Sequence, residues 1–267
     1  MNTVRTLNDW IPYRRSSRKS RLRLFCFPYA GGSASVFREW LDSFPPEVDV
    51  CPVQYPGREK RMAEVQFTLM EPLIDALVKG LLPEINIPFA FFGHSLGALI
   101  SFELALRLQK RGINPIRLFI SSYRAPVIAK RKSPMHLLPD AEFVERLRKY
   151  NGTPEAVLSN CELMRVLLPT LRADFALHET YVYSSGARLS CPISTYGGIE
   201  DPEVNYNDLK LWEAQTTQSF KLKMFPGDHF YIHNSRSGLV ASITNDLMLD
   251  YRKCYIEQDG INTGTGV

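Results

Sequence analysis

Gly93-His94-Ser95-Leu96-Gly97 has the form G-x-S-x-G. A serine hydroxyl attacks a carbonyl only after a base removes its proton. That base is held in the right tautomer by a carboxylate, so the segment asks for a histidine and an acid elsewhere in the chain. In a nucleophile elbow the serine stands on a tight, strained turn between a strand and a helix. Glycine flanks it where a Cβ would strike the neighbouring strand or helix. The N-terminus of the helix behind the serine favours negative charge. Ser95 is the candidate nucleophile on condition that a strand precedes it and a helix follows. Outside that context the same five residues would be an ordinary loop.

The surrounding pattern meets the condition. Phe89 to Phe92 is a compact apolar strand, and Leu96 to Lys110 is an amphipathic helix ended by Gly112. Upstream, Leu22 to Phe27 reads as a strand. A helix follows through Phe37, Trp40 and Leu41, with Ser33 or Ser35 as its cap. A second strand spans Val48 to Tyr55, and a helix spans Leu69 to Leu82 with Pro72 in its first turn. Downstream, Ile116 to Ser121 is the next strand. From Tyr123 to about Tyr183 the rhythm breaks, with helices at Ala141 to Tyr150 and Cys161 to His178 but no convincing strand. The alternation resumes with a strand at Pro192 to Tyr196, a helix near Leu209 to Ala214, a strand at Phe220 to Phe225 and a last helix around Leu239 to Tyr251. Strands alternating with helices predict a mainly parallel sheet covered on both faces. With the elbow, this is the α/β-hydrolase fold. The expected organisation is a basic arm over 1–21, a core over 22–122 and 184–256, a helical lid insertion over 123–183, and a disordered tail over 257–267. The alternative for the insertion is helices packed only on the sheet edge.

In that fold the order is serine, acid, histidine, and the histidine follows the last strand. Of the five histidines, His229 in Phe225-Pro226-Gly227-Asp228-His229 stands there. His94 adjoins the nucleophile but projects away and reads as a packed core residue. His136 and His178 lie in the insertion, and His233 falls in the turn after His229. The acid belongs after the strand at Pro192 to Tyr196, where Gly197-Gly198-Ile199-Glu200-Asp201-Pro202 offers Glu200 or Asp201. Asp228 reads as structural. An oxyanion needs two N–H donors. Leu96, the residue after the nucleophile, supplies one. The loop Phe27-Pro28-Tyr29-Ala30-Gly31-Gly32 supplies the other, and Ala30 is the choice because Pro28 has no N–H and the glycines allow close approach.

Five segments occur in order: Phe27-Pro28-Tyr29-Ala30-Gly31-Gly32-Ser33, Tyr55-Pro56-Gly57-Arg58-Glu59, Gly93-His94-Ser95-Leu96-Gly97, Leu171-Arg172-Ala173-Asp174-Phe175 and Gly227-Asp228-His229-Phe230-Tyr231. Together they resemble the type II (external, stand-alone) thioesterases of nonribosomal peptide and polyketide synthases, with medium-chain fatty acid synthase thioesterases similar. The resemblance spans about Leu22 to Tyr251. It implies Asp201 as the acid, because the family's acid closes a Gly-rich loop after the penultimate strand. It supports Ala30 and Leu96 as oxyanion donors and the insertion as a lid. It departs at Asp228, where many relatives carry a second glycine. It implies hydrolysis of acyl groups from the phosphopantetheine arm of an acyl or peptidyl carrier protein, serving to edit or unblock a synthase. The rival readings are a carboxylesterase or lipase of the same fold, a medium-chain fatty acyl thioesterase, and a binding protein that kept the fold without the chemistry.

The expected enzyme is a cytoplasmic monomer. Of 267 residues, 45% are hydrophobic and 22% charged, and the net charge is +4. That excess is too small and dispersed for nucleic acid, though compatible with an acidic protein partner. The run Lys130-Arg131-Lys132 is expected either to form a docking rim for the carrier or to be a solvated loop. Five scattered cysteines form no C-x-x-C pair, which argues against a disulfide framework or zinc site. No apolar run approaches the roughly 20 residues of a membrane helix. The Arg- and Ser-rich start reads as a solvated arm rather than a transit peptide. No metal or redox cofactor is expected.

Overall fold

The computed structural model describes residues 8–15, 19–128, 134–150, 152–184 and 186–255. The basic run Lys130-Arg131-Lys132, the tail after Glu257 and part of the N-terminal arm lie outside these residues. The sheet has six strands, β1 (Leu22–Phe27), β2 (Val48–Pro52), β3 (Phe89–His94), β4 (Leu118–Ser121), β5 (Ile193–Gly198) and β6 (Phe220–Phe225), in the order β2-β1-β3-β4-β5-β6. Every neighbouring pair is parallel. A parallel sheet is covered on both faces, so its strands read as continuous apolar runs. Accordingly, all six residues of β1 and of β3 are buried.

Alternation divides those strands between two cores. Phe25, Phe27, Phe89 and Phe91 face α1 (Met70–Leu81) and α2 (Leu96–Gln109). Leu22, Leu24, Cys26, Ala90 and Phe92 face the other way. They meet Phe37 and Trp40 of a 3-10 helix over Ala34–Asp42 and the apolar side of the C-terminal helix. Burying a large side chain of this kind contributes roughly 1.5–3 kcal/mol, which is why the central strands carry so many phenylalanines.

Between β4 and β5 the chain forms α3 (Asp140–Tyr150), α4 (Glu155–Leu158) and α5 (Cys161–Thr180). No strand occurs among the described residues from Ser122 to Tyr183. These helices enclose a third, separate core of Met135, Phe143, Leu147, Leu158, Met164 and Leu171. Asn160 caps α5, its Oδ1 accepting the N–H groups of Glu162 and Leu163. After β5 come α6 (Tyr206–Lys210), a 3-10 turn over Leu211–Gln215, α7 (Tyr231–Asn234) and α8 (Arg236–Tyr255).

Several boundaries differ from the sequence expectation. The segment after Ser33 is 3-10 rather than α, and Ser33 makes no side-chain cap. Its hydroxyl donates instead to Glu59 Oε1 at 2.5 Å, while Gln54 Oε1 accepts the N–H of Ala34 at 3.0 Å. A partner twenty residues away has taken the cap's place. Strand β2 stops at Pro52, three residues early, because Gln54 turns inward to hold that loop. Strand β3 runs on to His94, directly into the elbow.

Candidate active site

Ser95 joins β3 to α2 with φ +53° and ψ −120°. A serine in this region is strained, and surrounding structure must hold it there. Its N–H donates to Ser121 O at 2.8 Å, and its carbonyl accepts from Ala98 N at 2.9 Å. The flanking glycines are obligatory. A Cβ on Gly93 would lie 2.2 Å from Gly97 O, and one on Gly97 would lie 2.1 Å from Phe27 O. Both obstacles are backbone and cannot move aside.

His229 Nε2 lies 3.0 Å from Ser95 Oγ, and His229 Nδ1 lies 2.8 Å from Asp201 Oδ2. An ionised carboxylate only accepts, so Nδ1–H donates to Asp201 and Nε2 is left to accept from the serine hydroxyl. Burial pulls the Asp201 carboxyl upward. The hydrogen bond and charge of His229 and the N–H of Glu203 outweigh it, and its pKa is lowered overall. Asp201 Oδ1 also accepts Val204 N–H at 3.2 Å. The carboxylate is therefore fixed on both oxygens.

Glu200, the other carboxylate of that loop, does not approach His229. It accepts the N–H of Gly227. Further bonds from Ile199 N to Phe225 O and from Glu200 N to Gly227 O zip the Asp201 loop to the His229 loop. Gly198 lies in the seam, where a Cβ would stand 2.1 Å from Asp228 O. Asp228 accepts the N–H of Phe230 through Oδ1 at 2.8 Å, a turn-forming role.

The other histidines fall elsewhere. His94 is fully buried, its Nδ1 2.8 Å from Ser121 Oγ, which in turn meets Tyr231 Oη at 2.6 Å. Burial first, then the proximity of His229 and His233, holds its pKa well below the ordinary range. It stays neutral, so no fixed positive charge opposes an imidazolium on His229. His233 lies in α7, 3.3 Å from Tyr29 Oη. His136 pairs with Glu179. His178 meets Tyr123 Oη at 2.8 Å in the wall of the pocket.

Ser95, His229, Ala30 and Leu96 line one pocket with Tyr123, Leu147, Leu171, Phe175 and Phe230. Leu96 opens α2, so its N–H has no acceptor within the helix. In the loop after β1, Gly31 N–H is given to Asp174 Oδ2 at 2.7 Å and Gly32 N–H to Tyr29 O at 2.8 Å. The wall opposite the sheet comes from α3 and α5 and is largely apolar, which suits an acyl chain.

Sequence reasoning missed one buried partnership. Arg58 donates to Asp174 through both terminal nitrogens, at 2.9 and 2.8 Å, and to Gly32 O at 2.8 Å. Both residues stand in segments that the sequence singles out. They are 116 positions apart, and no spacing rule in one sequence joins them. Among the described residues, no helix is long and apolar enough to cross a membrane.

A family model described as a thioesterase domain matches residues 22–247. The gramicidin S biosynthesis protein GrsT of Aneurinibacillus migulanus is 45% identical over 250 residues, covering 93% of this chain and 98% of that protein. Thioesterase PikA5 of Streptomyces venezuelae is 37% identical over 242 residues, covering 90% and 86% respectively. Among solved structures, the type II thioesterase BorB from the borrelidin biosynthetic cluster superposes with a TM-score of 0.82 at 37% identity, covering 90% of this chain and 98% of that one. The parallel sheet with helices on both faces is the α/β-hydrolase arrangement.

Proposed function

This chain belongs to the thioesterase family, and from that membership we propose that Ser95, His229 and Asp201 transfer an acyl group from a carrier-bound thioester to water. The observation that carries this is the hydrogen-bonded line from Ser95 Oγ through His229 to Asp201, opening into an apolar pocket. His229 takes the serine proton as Oγ attacks the thioester carbonyl. The oxyanion rests on the N–H groups of Ala30 and Leu96. The thiol leaves, the acyl group stays on Ser95, and water attacks it with His229 again as base. A thiolate is a good leaving group, so the barrier falls chiefly at addition, where the two N–H donors act. The reaction needs no metal or redox cofactor.

The substrate is an acyl or peptidyl group on the phosphopantetheine arm of a synthase carrier protein, and the task is editing or unblocking that synthase. Support comes from a relative named for gramicidin S biosynthesis, a relative named as a thioesterase, and the solved type II thioesterase of the borrelidin biosynthetic cluster. A carrier is too large for the pocket, so only its flexible arm enters. The helices over 123–183 act as the lid above that arm, with a core of their own and with Leu177 of α5 packed into the main core. The enzyme works as a cytoplasmic monomer.

The test is a panel of acyl-carrier proteins, with free acid followed by mass spectrometry. Oxygen esters of the same acids and the Ser95→Ala variant run alongside. Release from the carrier, preference for the thioester, and a loss on the order of 10⁶ in kcat for Ser95→Ala support the reading. Equal use of oxygen esters would make the protein a general esterase, and Ser95→Ala activity within tenfold of the parent would remove Ser95 from its role.

A further inference from the structure

The loop that carries Ala30 is held in part by the insertion. Tyr29-Ala30-Gly31-Gly32 is closed by Gly32 N–H to Tyr29 O, and Gly31 has φ +77°. A positive φ at the third position is the mark of a type II turn. Such a turn interconverts with type I by flipping its central peptide, which would reverse the direction of Gly31 N–H. Asp174 Oδ2 accepts that N–H at 2.7 Å, and a flipped peptide would turn the Ala30 carbonyl toward the carboxylate instead. Arg58 holds the end of the turn by donating to the carbonyl of Gly32, on the Gly32–Ser33 peptide, at 2.8 Å. Arg58 and Asp174 are 6% and 1% exposed, so solvent offers neither an alternative partner.

Asp174 belongs to α5, and that helix meets the same loops through neighbouring positions. A Cβ on Gly31 would stand 2.6 Å from Leu171 Cδ2, so the helix is seated directly on the turn. Thr170 Oγ1 donates to Gly57 O at 2.8 Å. Residues 170, 171 and 174 share one helix face by their spacing. Arg58 comes from the Tyr55–Glu59 loop and lies over the Tyr55 ring at 5.2 Å. The Tyr55–Glu59 loop and α5, far apart in sequence, therefore converge on the turn that carries Ala30, Asp174 at the Ala30–Gly31 peptide and Arg58 at the Gly32 carbonyl.

We propose that Arg58 and Asp174 are positioning residues that make the seating of α5 and the orientation of the Ala30 oxyanion donor one event, so that the donor is correctly aimed only while the insertion is in place. This rests on the reading of Ala30 N–H as an oxyanion donor. It gives the insertion a role in the chemical step in addition to shelter of the acyl chain. Preorganised donors act through placement; the Ala30 N–H belongs to the Tyr29–Ala30 peptide that opens the turn, and a turn that loses its hold at Gly31 and Gly32 would let that peptide shift within the site.

The test uses the full chain and a small acyl-pantetheine thioester. Single removal of either partner would strand a buried charge, so the informative variant replaces both with apolar residues, Arg58→Met with Asp174→Leu, a change that commonly preserves folding. A second protein carries an ester oxygen in place of the Ala30 N–H. The double variant should melt within a few degrees of the parent, lose about 10²-fold in kcat with KM within about threefold, and lose affinity for an alkyl trifluoromethyl ketone by a similar factor. The ester alone should cost a comparable factor, and the two changes together should cost little more than either, because they act on one donor. A folded double variant with kcat within threefold of the parent overturns the proposal, and so do effects that multiply in full. If the ester costs activity while the double variant does not, the donor reading stands and the link to α5 falls. If the ester costs nothing, the donor reading itself falls. Should the double variant fail to fold, Asp174→Asn keeps an acceptor for Gly31 and must show the same kcat-selective loss in smaller degree; a loss confined to KM overturns the proposal.

Discussion

Ser95, His229 and Asp201 lie on three different loops, and each is held by bonds that its neighbours make. The serine is strained, the histidine is oriented by a carboxylate, and the carboxylate is fixed by two backbone N–H groups. Glu200 is one residue from Asp201 yet serves another purpose, accepting Gly227 N–H to tie the His229 loop to the Asp201 loop. The two carboxylates should therefore respond very differently to neutralisation. Asp201→Asn deprives His229 of the partner that selects its tautomer, a change that in a comparable triad costs about 10⁴ in kcat. Glu200→Gln keeps an oxygen that can accept the same N–H and should leave kcat within about tenfold. Steady-state hydrolysis of one small thioester by both variants reads the ranking, and the reverse order would move the acid to Glu200.

At the scale of elements, the elbow is an approach of a helix to two strands that only glycine permits. Gly97 brings α2 against the end of β1, and Gly93 lets β3 pass beneath it. Gly97→Ala should force the helix off the sheet, destabilising the fold by more than about 4 kcal/mol and abolishing turnover. Gly112, just beyond α2, is the control. It also has a positive φ, +74°, but nothing lies within 4 Å of its missing Cβ. Gly112→Ala should cost only the backbone strain, about 1–2 kcal/mol, with activity kept. Urea denaturation of the two variants separates close approach from conformation. Similar losses would mean that the elbow can relax more than its geometry implies.

Over the whole molecule, the burial that assembles the site also sets how stability responds to pH. His94 is sealed between the sheet and the site, and its pKa is depressed by burial and by the two nearby histidines. The unfolded chain takes up a proton at the ordinary histidine value of about 6.5, whereas the folded chain refuses it until far lower. The stabilising difference is thus fully present above pH 6.5 and declines as pH falls below it, at up to about 1.4 kcal/mol per pH unit. His233, lowered by its own partial burial, adds in the same direction. Asp201 is also depressed, and its contribution is lost only further into acid. Unfolding free energies measured between pH 7.5 and 5.5 should fall more steeply for the parent than for His94→Asn. Equal slopes would show that His94 titrates normally in the folded state.

The sequence alone determined the sheet, the elbow and the chain order of the site. Apolar runs of strand length, helical periodicity between them and a glycine-flanked serine are local signals, and local signals survive in one dimension. His229 could be named as the candidate base because it follows the last strand directly, and Leu96 as a candidate donor because it adjoins Ser95. The residues alone left the acid open between two carboxylates. Glu200 and Asp201 are equal carboxylates in one loop, and what separates them is the direction each side chain takes once Gly198 is pressed against the Asp228 carbonyl. The 3-10 form of Ala34–Asp42 was decided in the same way, by Gln54 and Glu59 reaching back from a later loop. The union of Arg58 with Asp174 was decided there too. A buried ion pair across 116 residues exists only because the chain closes β2, the first loop and α5 on one point, and that closure is a property of the folded packing that no window of sequence contains.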